Sequence, residues 1–414
     1  VPIGKFEGVS EVLARIGGLT YMMNATRGFT TAALDSGEEP SVASAIIKYH
    51  LTERMRIVMN DGMDILGGAG ISMGPKNFIA RSYQALPIAI TVEGANILTR
   101  NLIIFGQGAI RCHPFLFREM EATANNDVVE FDRALLGHGA HVMSSCSRSL
   151  FHTLTGGRLL GSPQHGVTDY YYRQFARMSL AFAVTTEFTL MSLGGGLKRK
   201  ESISGRLGDV LSHLYMGSAV LKHHYDNGSP DDELPLLEWA CQDLLYNMQT
   251  RLHEVLNNLP NRFMATVARA LTFPFGKPYR RPDDALGQNV ADILMQPGAL
   301  RDRLTEGVYI PDDNNESIAQ LEDALIKGVA AEPAIRKLRA AMKSGALPKG
   351  DPEGSIADGV KADVISEQEA DAMRAAIAAR KLVIQVDEFL PEYFTKEHKE
   401  WGNDNLDGVA GQSM

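Results

Sequence analysis

Apolar residues recur at three- and four-residue steps from the start of the chain. Phe6, Val9, Leu13, Ile16, Thr20 and Met23 fall on one face of a helix, which Asp35, Ser36 and Gly37 bring to an end. Ser41 is suited to cap a second helix, whose stripe runs through Val42, Ala45, Tyr49, Met59, Met63 and Leu66 before Gly67-Gly68-Ala69-Gly70 stops it. Beyond a loop at Gly74-Pro75, a segment over 78–83 precedes a break at Pro87, and the spacing predicts a helix over 93–104, closed by Gly106 and Gly108. Helical patterns follow over 117–125, 128–155, 168–193, 206–225, 234–258 and 263–275. No alternating strand pattern stands out, and Ser366 with Glu369 forms a capping box opening one more helix. The expected fold is all-α: a first bundle over 1–114, a helical extension over 115–342, a Gly- and Pro-rich linker over 343–361 and a small helical tail over 362–414. The polar end, 401–414, is expected to fray.

Composition narrows the function classes. The 414 residues are 44% hydrophobic with no low-complexity tract, and a formal net charge of −9 argues against nucleic acid as a partner. Cys112, Cys146 and Cys241 lie far apart without CxxC spacing, which points to a reducing compartment and to neither a disulfide framework nor a zinc site. The chain opens on Val1 with no signal-peptide core, and it reads as a fragment whose upstream half is absent. The most apolar window, 178–197, contains Glu187 and three consecutive glycines, which favours a buried helix over a membrane span.

Two local features carry candidate chemistry. A Gly-Gly-x-Gly at a helix end is most often a stop signal, but it also lets phosphates approach backbone N–H groups. A glutamate opening a helix usually just favours the dipole; as a base it would need an apolar pocket aimed at a substrate proton. Other features carry less. His138 and His141 lack an evident carboxylate or cysteine partner at ligand spacing, so no metal is expected. The run Lys198-Arg199-Lys200 reads as a solvated turn, and the serines around Cys146 have no recognisable His–Asp pair.

In order and spacing, Asp64-Ile65-Leu66-Gly67-Gly68-Ala69-Gly70 and Thr91-Val92-Glu93-Gly94-Ala95-Asn96 resemble the C-terminal four-helix bundle of the acyl-CoA dehydrogenase family. Phe105-Gly106-Gln107-Gly108, Gly194 to Lys200 and Ser204-Gly205-Arg206-Leu207-Gly208-Asp209 extend the likeness to the large bacterial fatty-acid β-oxidation members. The resemblance implies FAD as cofactor, a fatty acyl-CoA substrate and Glu93 as the base that takes the α-proton while a hydride leaves the β-carbon for the flavin. It also implies that the Glu93 backbone N–H, with Gly94 beside it, meets the thioester, and that Gly67, Gly68 and Asp64 lie at the cofactor. Asp64 stands where glutamine is usual, Glu7 likewise, Val92 replaces an aromatic residue and Ala95 a threonine. An electron-transfer flavoprotein as acceptor, a homo-oligomer and a bacterial cytoplasmic setting follow from the same resemblance, which leaves room for peripheral contact with the inner membrane. A non-catalytic helical scaffold and an acyl-CoA oxidase-like flavoenzyme are the alternatives. As an isolated piece, the chain is expected to be inactive.

Overall fold

A computed structural model describes residues 2–388 apart from 75, 109–112 and 314. Val1, Cys112 and the 401–414 end lie outside the described residues. Among the described residues every regular element is helical, as the periodicity predicts. In chain order these are α1 (Glu7–Asp35), α2 (Ser41–Leu66), α3 (Gly68–Ile71), α4 (Ala80–Thr91) and α5 (Asn96–Leu98), the last continuing as a π-helix over Thr99–Gln107. Next come α6 (Leu116–Ala124), α7 (Val128–Leu154), α8 (Val167–Leu193), α9 (Glu201–Asp226), α10 (Leu234–Asn258), α11 (Arg262–Thr272), α12 (Asp284–Leu294) and α13 (Ala299–Leu304). The last three are α14 (Ser317–Ser344), α15 (Ile356–Lys361) and α16 (Glu367–Val383).

The contacts divide the chain into two compact units, residues 1–65 with 81–309 and residues 66–80 with 310–414. In the first, α10 presents Leu237, Cys241, Leu244, Met248, Leu252 and Val255 at helical spacing, all buried. They share one core with Leu19 and Met22 of α1, Met178 of α8, Leu207 and Met216 of α9 and Val290 of α12. Because α1 and α10 belong to the same core, the sequence boundary near 114 does not separate two cores. The helix over 178–193 is part of it: Met178 and Val184 are fully buried, although Val167–Arg199 is long and apolar enough to cross a membrane by length and composition.

Three details correct the sequence reading. Pro87 lies inside α4 instead of ending it, at the cost of one helical hydrogen bond. The helix α12 escaped notice, although Asp283 caps it by accepting from the Leu286 N–H. The 343–361 stretch holds α15, whose Ile356 is buried with Leu338, Met342, Ile365 and Met373 in the core of the second unit, so it is no bare linker. There α14 packs along α16, which begins at the Ser366–Glu369 capping box.

One close approach fixes how α1 meets α10. A Cβ built on Gly18 would lie 1.9 Å from Cε3 of Trp239, an indole only 8% exposed. Gly18→Ala therefore forces a buried ring or a helix to move and should destabilise the chain by about 1–3 kcal/mol. Urea unfolding of the purified variant measures this; an unchanged midpoint would contradict the packing described.

Candidate active site

Glu93 does not open a helix. It sits in the turn between α4 and α5 with φ of +58°, followed by Gly94 at φ of +96°. The left-handed region costs a side-chain-bearing residue about 1–2 kcal/mol, so something must hold the turn. That something is α2. Lys48 Nζ donates to the Gly94 carbonyl at 2.5 Å and to Asn96 Oδ1 at 2.6 Å. The buried Asn96 amide in turn donates to Thr52 Oγ1 at 3.0 Å and to Glu53 Oε1 at 2.8 Å. Its oxygen thus faces an ammonium and its NH2 a carboxylate, an arrangement that the flipped amide could not satisfy. Lys48 and Thr52 are one helical turn apart and share a face of α2.

The other end of this segment is anchored to α9. Arg100 grips Asp209 with two bonds, Nε to Oδ1 at 2.8 Å and Nη2 to Oδ2 at 2.7 Å. Arg251 Nε adds a third contact at 2.9 Å. Asp209 is buried, and the hydrogen bonding that Arg100 donates to it is the main cause of the raised pKa of Arg100. A Cβ on Gly205 would meet Asn101 Oδ1 at 2.3 Å, and Ser204 donates to the Asn101 carbonyl. The Ser204-Gly205-Arg206-Leu207-Gly208-Asp209 run is therefore the seat on which the π-helix rests.

So held, the Glu93 side chain is exposed, and no protein acceptor meets its backbone N–H among the described residues. Ile88, Val92, Ile97 and Leu98 around it in sequence are exposed apolar residues, 47–77% accessible. Asp64 is exposed on the last turn of α2, in the first unit; near it Arg15 and Asp61 tie α1 to α2 with bonds of 2.8 and 2.6 Å. Gly67 and Gly68 belong to the second unit and are exposed. Gly67 has φ of +57° and needs to be glycine, whereas Gly68 does not, and a Cβ on either would meet nothing within 4 Å. The first unit has a cavity of about 680 Å³ lined by residues that include Glu11, Arg15, Trp239, Asp243 and Arg281, and neither Glu93 nor Asp64 lines it.

A second cluster was hidden from sequence spacing. His138 on α7 places Nδ1 2.7 Å from Glu119 of α6 and Nε2 3.0 Å from Glu187 of α8. His113 Nε2 lies 2.7 Å from the other Glu187 oxygen, and the ligand atoms of His113, His138 and Glu187 fall within 4.8 Å of one another. The carboxylates missing from the sequence reading are thus supplied by other helices. The donor pattern nevertheless disfavours a cation. His113 Nδ1 accepts the backbone N–H groups of Phe115 and Leu116 at 3.2 and 3.0 Å, which leaves the ring proton on Nε2, where a metal would bind. His138, facing a carboxylate at each nitrogen, is built to hold two protons.

A model of the acyl-CoA dehydrogenase C-terminal domain matches residues 1–106, and one described as acyl-CoA dehydrogenase, C-terminal, bacterial type, matches residues 110–389. The chain belongs to the acyl-CoA dehydrogenase family. It is similar in fold to the crystal structure of an acyl-CoA dehydrogenase complexed with FAD from Bacillus anthracis, at 16% identity and a TM-score of 0.51. The match covers 71% of this chain and 49% of that one, so the chain spans about half the length of this solved neighbour.

The His138 cluster makes a pH prediction. Burial works against its charged form, but the hydrogen bonds to Glu187 and Glu119 outweigh it and raise its pKa above the usual 6.5. Its stabilising contribution is therefore complete below pH 6.5 and is lost as pH rises through the higher folded value. Between about pH 6.5 and pH 9, the denaturant midpoint of the parent should fall more than that of His138→Gln. Parallel pH profiles, or stoichiometric zinc that vanishes in His138→Gln, would contradict this reading.

Proposed function

We propose that this chain supplies the base for FAD-dependent α,β-dehydrogenation of a fatty acyl-CoA, giving the trans-2-enoyl-CoA. The observation that carries the proposal is the clamped turn: a left-handed Glu93 whose carboxylate is exposed and whose backbone N–H has no protein acceptor among the described residues. The N–H would donate to the thioester carbonyl oxygen, where negative charge builds as the α-proton leaves. Glu93 takes that proton, the α and β carbons form a double bond, and the β-hydride departs. When bound, FAD supplies the acceptor for that hydride. Gly67 and Gly68 fit such a partner, since open space over both admits a phosphate to their backbone. Asp64, exposed on α2, is proposed as a further cofactor contact on the family resemblance alone.

Gly94 contributes to substrate binding through the backbone. Its carbonyl is already taken by Lys48, so its part in substrate binding is to shape the turn. The exposed apolar residues around Glu93 are suited to be covered by an acyl chain and by protein, which would exclude water and favour proton transfer. On the family resemblance we further propose fatty-acid β-oxidation as the setting, an electron-transfer flavoprotein as acceptor, a homo-oligomeric assembly and a bacterial cytoplasmic location, at or near the inner membrane.

Glu93→Gln keeps the size of the side chain and removes the base. In the full-length FAD-loaded protein, flavin bleaching by acyl-CoA should slow by a factor of at least about 10² while FAD content and ligand binding persist. Bleaching at the parent rate would place the base elsewhere.

A further inference from the structure

We propose that Lys48 is a positioning residue for Glu93, acting through the Gly94 carbonyl to hold the base in its left-handed, substrate-facing conformation. The inference rests on the reading of Glu93 as the base. Lys48 donates twice to the segment directly after Glu93: to the Gly94 carbonyl at 2.5 Å and to Asn96 Oδ1 at 2.6 Å. A backbone carbonyl that follows two successive positive φ angles points away from the helical ladder and has no donor there to satisfy it. Thr99 Oγ1 reaches the same oxygen only at 3.5 Å, too far to hold it alone. Through Asn96 the restraint passes to Thr52 and Glu53, so the turn is fixed from α2 at two points. Remove the ammonium and Gly94, the most permissive residue in the turn, is free to rotate. Glu93 can then relax to negative φ and carry its carboxylate and its N–H off their targets together.

This separates Lys48 from a residue that merely stabilises the fold. A displacement of about 1 Å at a reacting group costs on the order of 10²-fold in rate. In the full-length FAD-loaded protein, single-turnover flavin bleaching by butanoyl-, octanoyl- and palmitoyl-CoA gives the limiting rate. The affinity of a redox-inert 3-thia-acyl-CoA gives binding. Lys48→Met should lower the limiting rate about 10- to 100-fold, with 3-thia-acyl-CoA affinity falling by no more than the about ten-fold that loss of the one N–H bond allows and FAD content unchanged. Lys48→Cys should be equally slow, and treatment with bromoethylamine, which rebuilds an ammonium at nearly the original length, should restore most of the rate; the parent treated in the same way serves as control. A Lys48→Met protein that bleaches at the parent rate while Glu93→Gln does not would overturn the positioning role and leave the base intact. Glu93→Gln bleaching at the parent rate would instead sink the reading on which this inference rests. Should Lys48→Met lose FAD, the aminoethylated and untreated Lys48→Cys proteins decide: equal rates per bound flavin would overturn the proposal.

Discussion

The glutamate turn depends on an ammonium that holds two oxygens. Glu93 lies in a backbone region that a side chain-bearing residue enters only under constraint, and Lys48 provides that constraint by joining the Gly94 carbonyl and the Asn96 side chain to α2. The strain and the restraint are comparable in size. The left-handed conformation costs about 1–2 kcal/mol, and a hydrogen bond to a charged donor contributes about 1.5–3 kcal/mol. Two such bonds are enough to keep the turn in place without help from a bound molecule.

Everything around the turn can be read as keeping α2 and the π-helix still relative to each other. The bidentate Arg100–Asp209 pair, reinforced by Arg251, secures the π-helix to α9. α9 packs on α10 and on α1 in the shared core, and Arg15 with Asp61 ties α1 to α2. The path from Asp209 through the core to Lys48 closes a loop of rigid elements around the glutamate. π-Helical stretches are uncommon, occur often at functional sites and place residues off the regular helical register. Here one follows the turn and itself carries the anchor, Arg100.

How much of this was legible in the sequence differs by kind. Helices whose apolar residues keep a strict period were readable almost to the residue: α10 ends where its pattern does, and α1 stops at the Asp-Ser-Gly cluster. The glutamate itself was found through resemblance. Its conformation was not, because a positive φ at a non-glycine residue is imposed by tertiary contacts, and Pro87 was misjudged because a helix otherwise well supported tolerates one missing bond. The clamp of Lys48 and Thr52 on Asn96 is not legible in the sequence, since nothing local marks a lysine on a helix face as a clamp. The same holds for His138, whose carboxylate partners lie 19 and 49 residues away in the chain. Sequence spacing sees neighbours on one helix, and these sites are assembled from several.

The central claim is geometric, namely that the clamp delivers the Glu93 carboxylate to the α-carbon of a thioester. A crystal structure of the full-length FAD-loaded protein with a 3-thia-acyl-CoA bound tests it directly. The account predicts φ of Glu93 still positive, a Glu93 oxygen about 3–3.5 Å from the position of the α-carbon, and the Glu93 N–H donating to the thioester oxygen. A ligand seated with its α-carbon more than about 6 Å from Glu93, beyond any direct proton transfer, would contradict it.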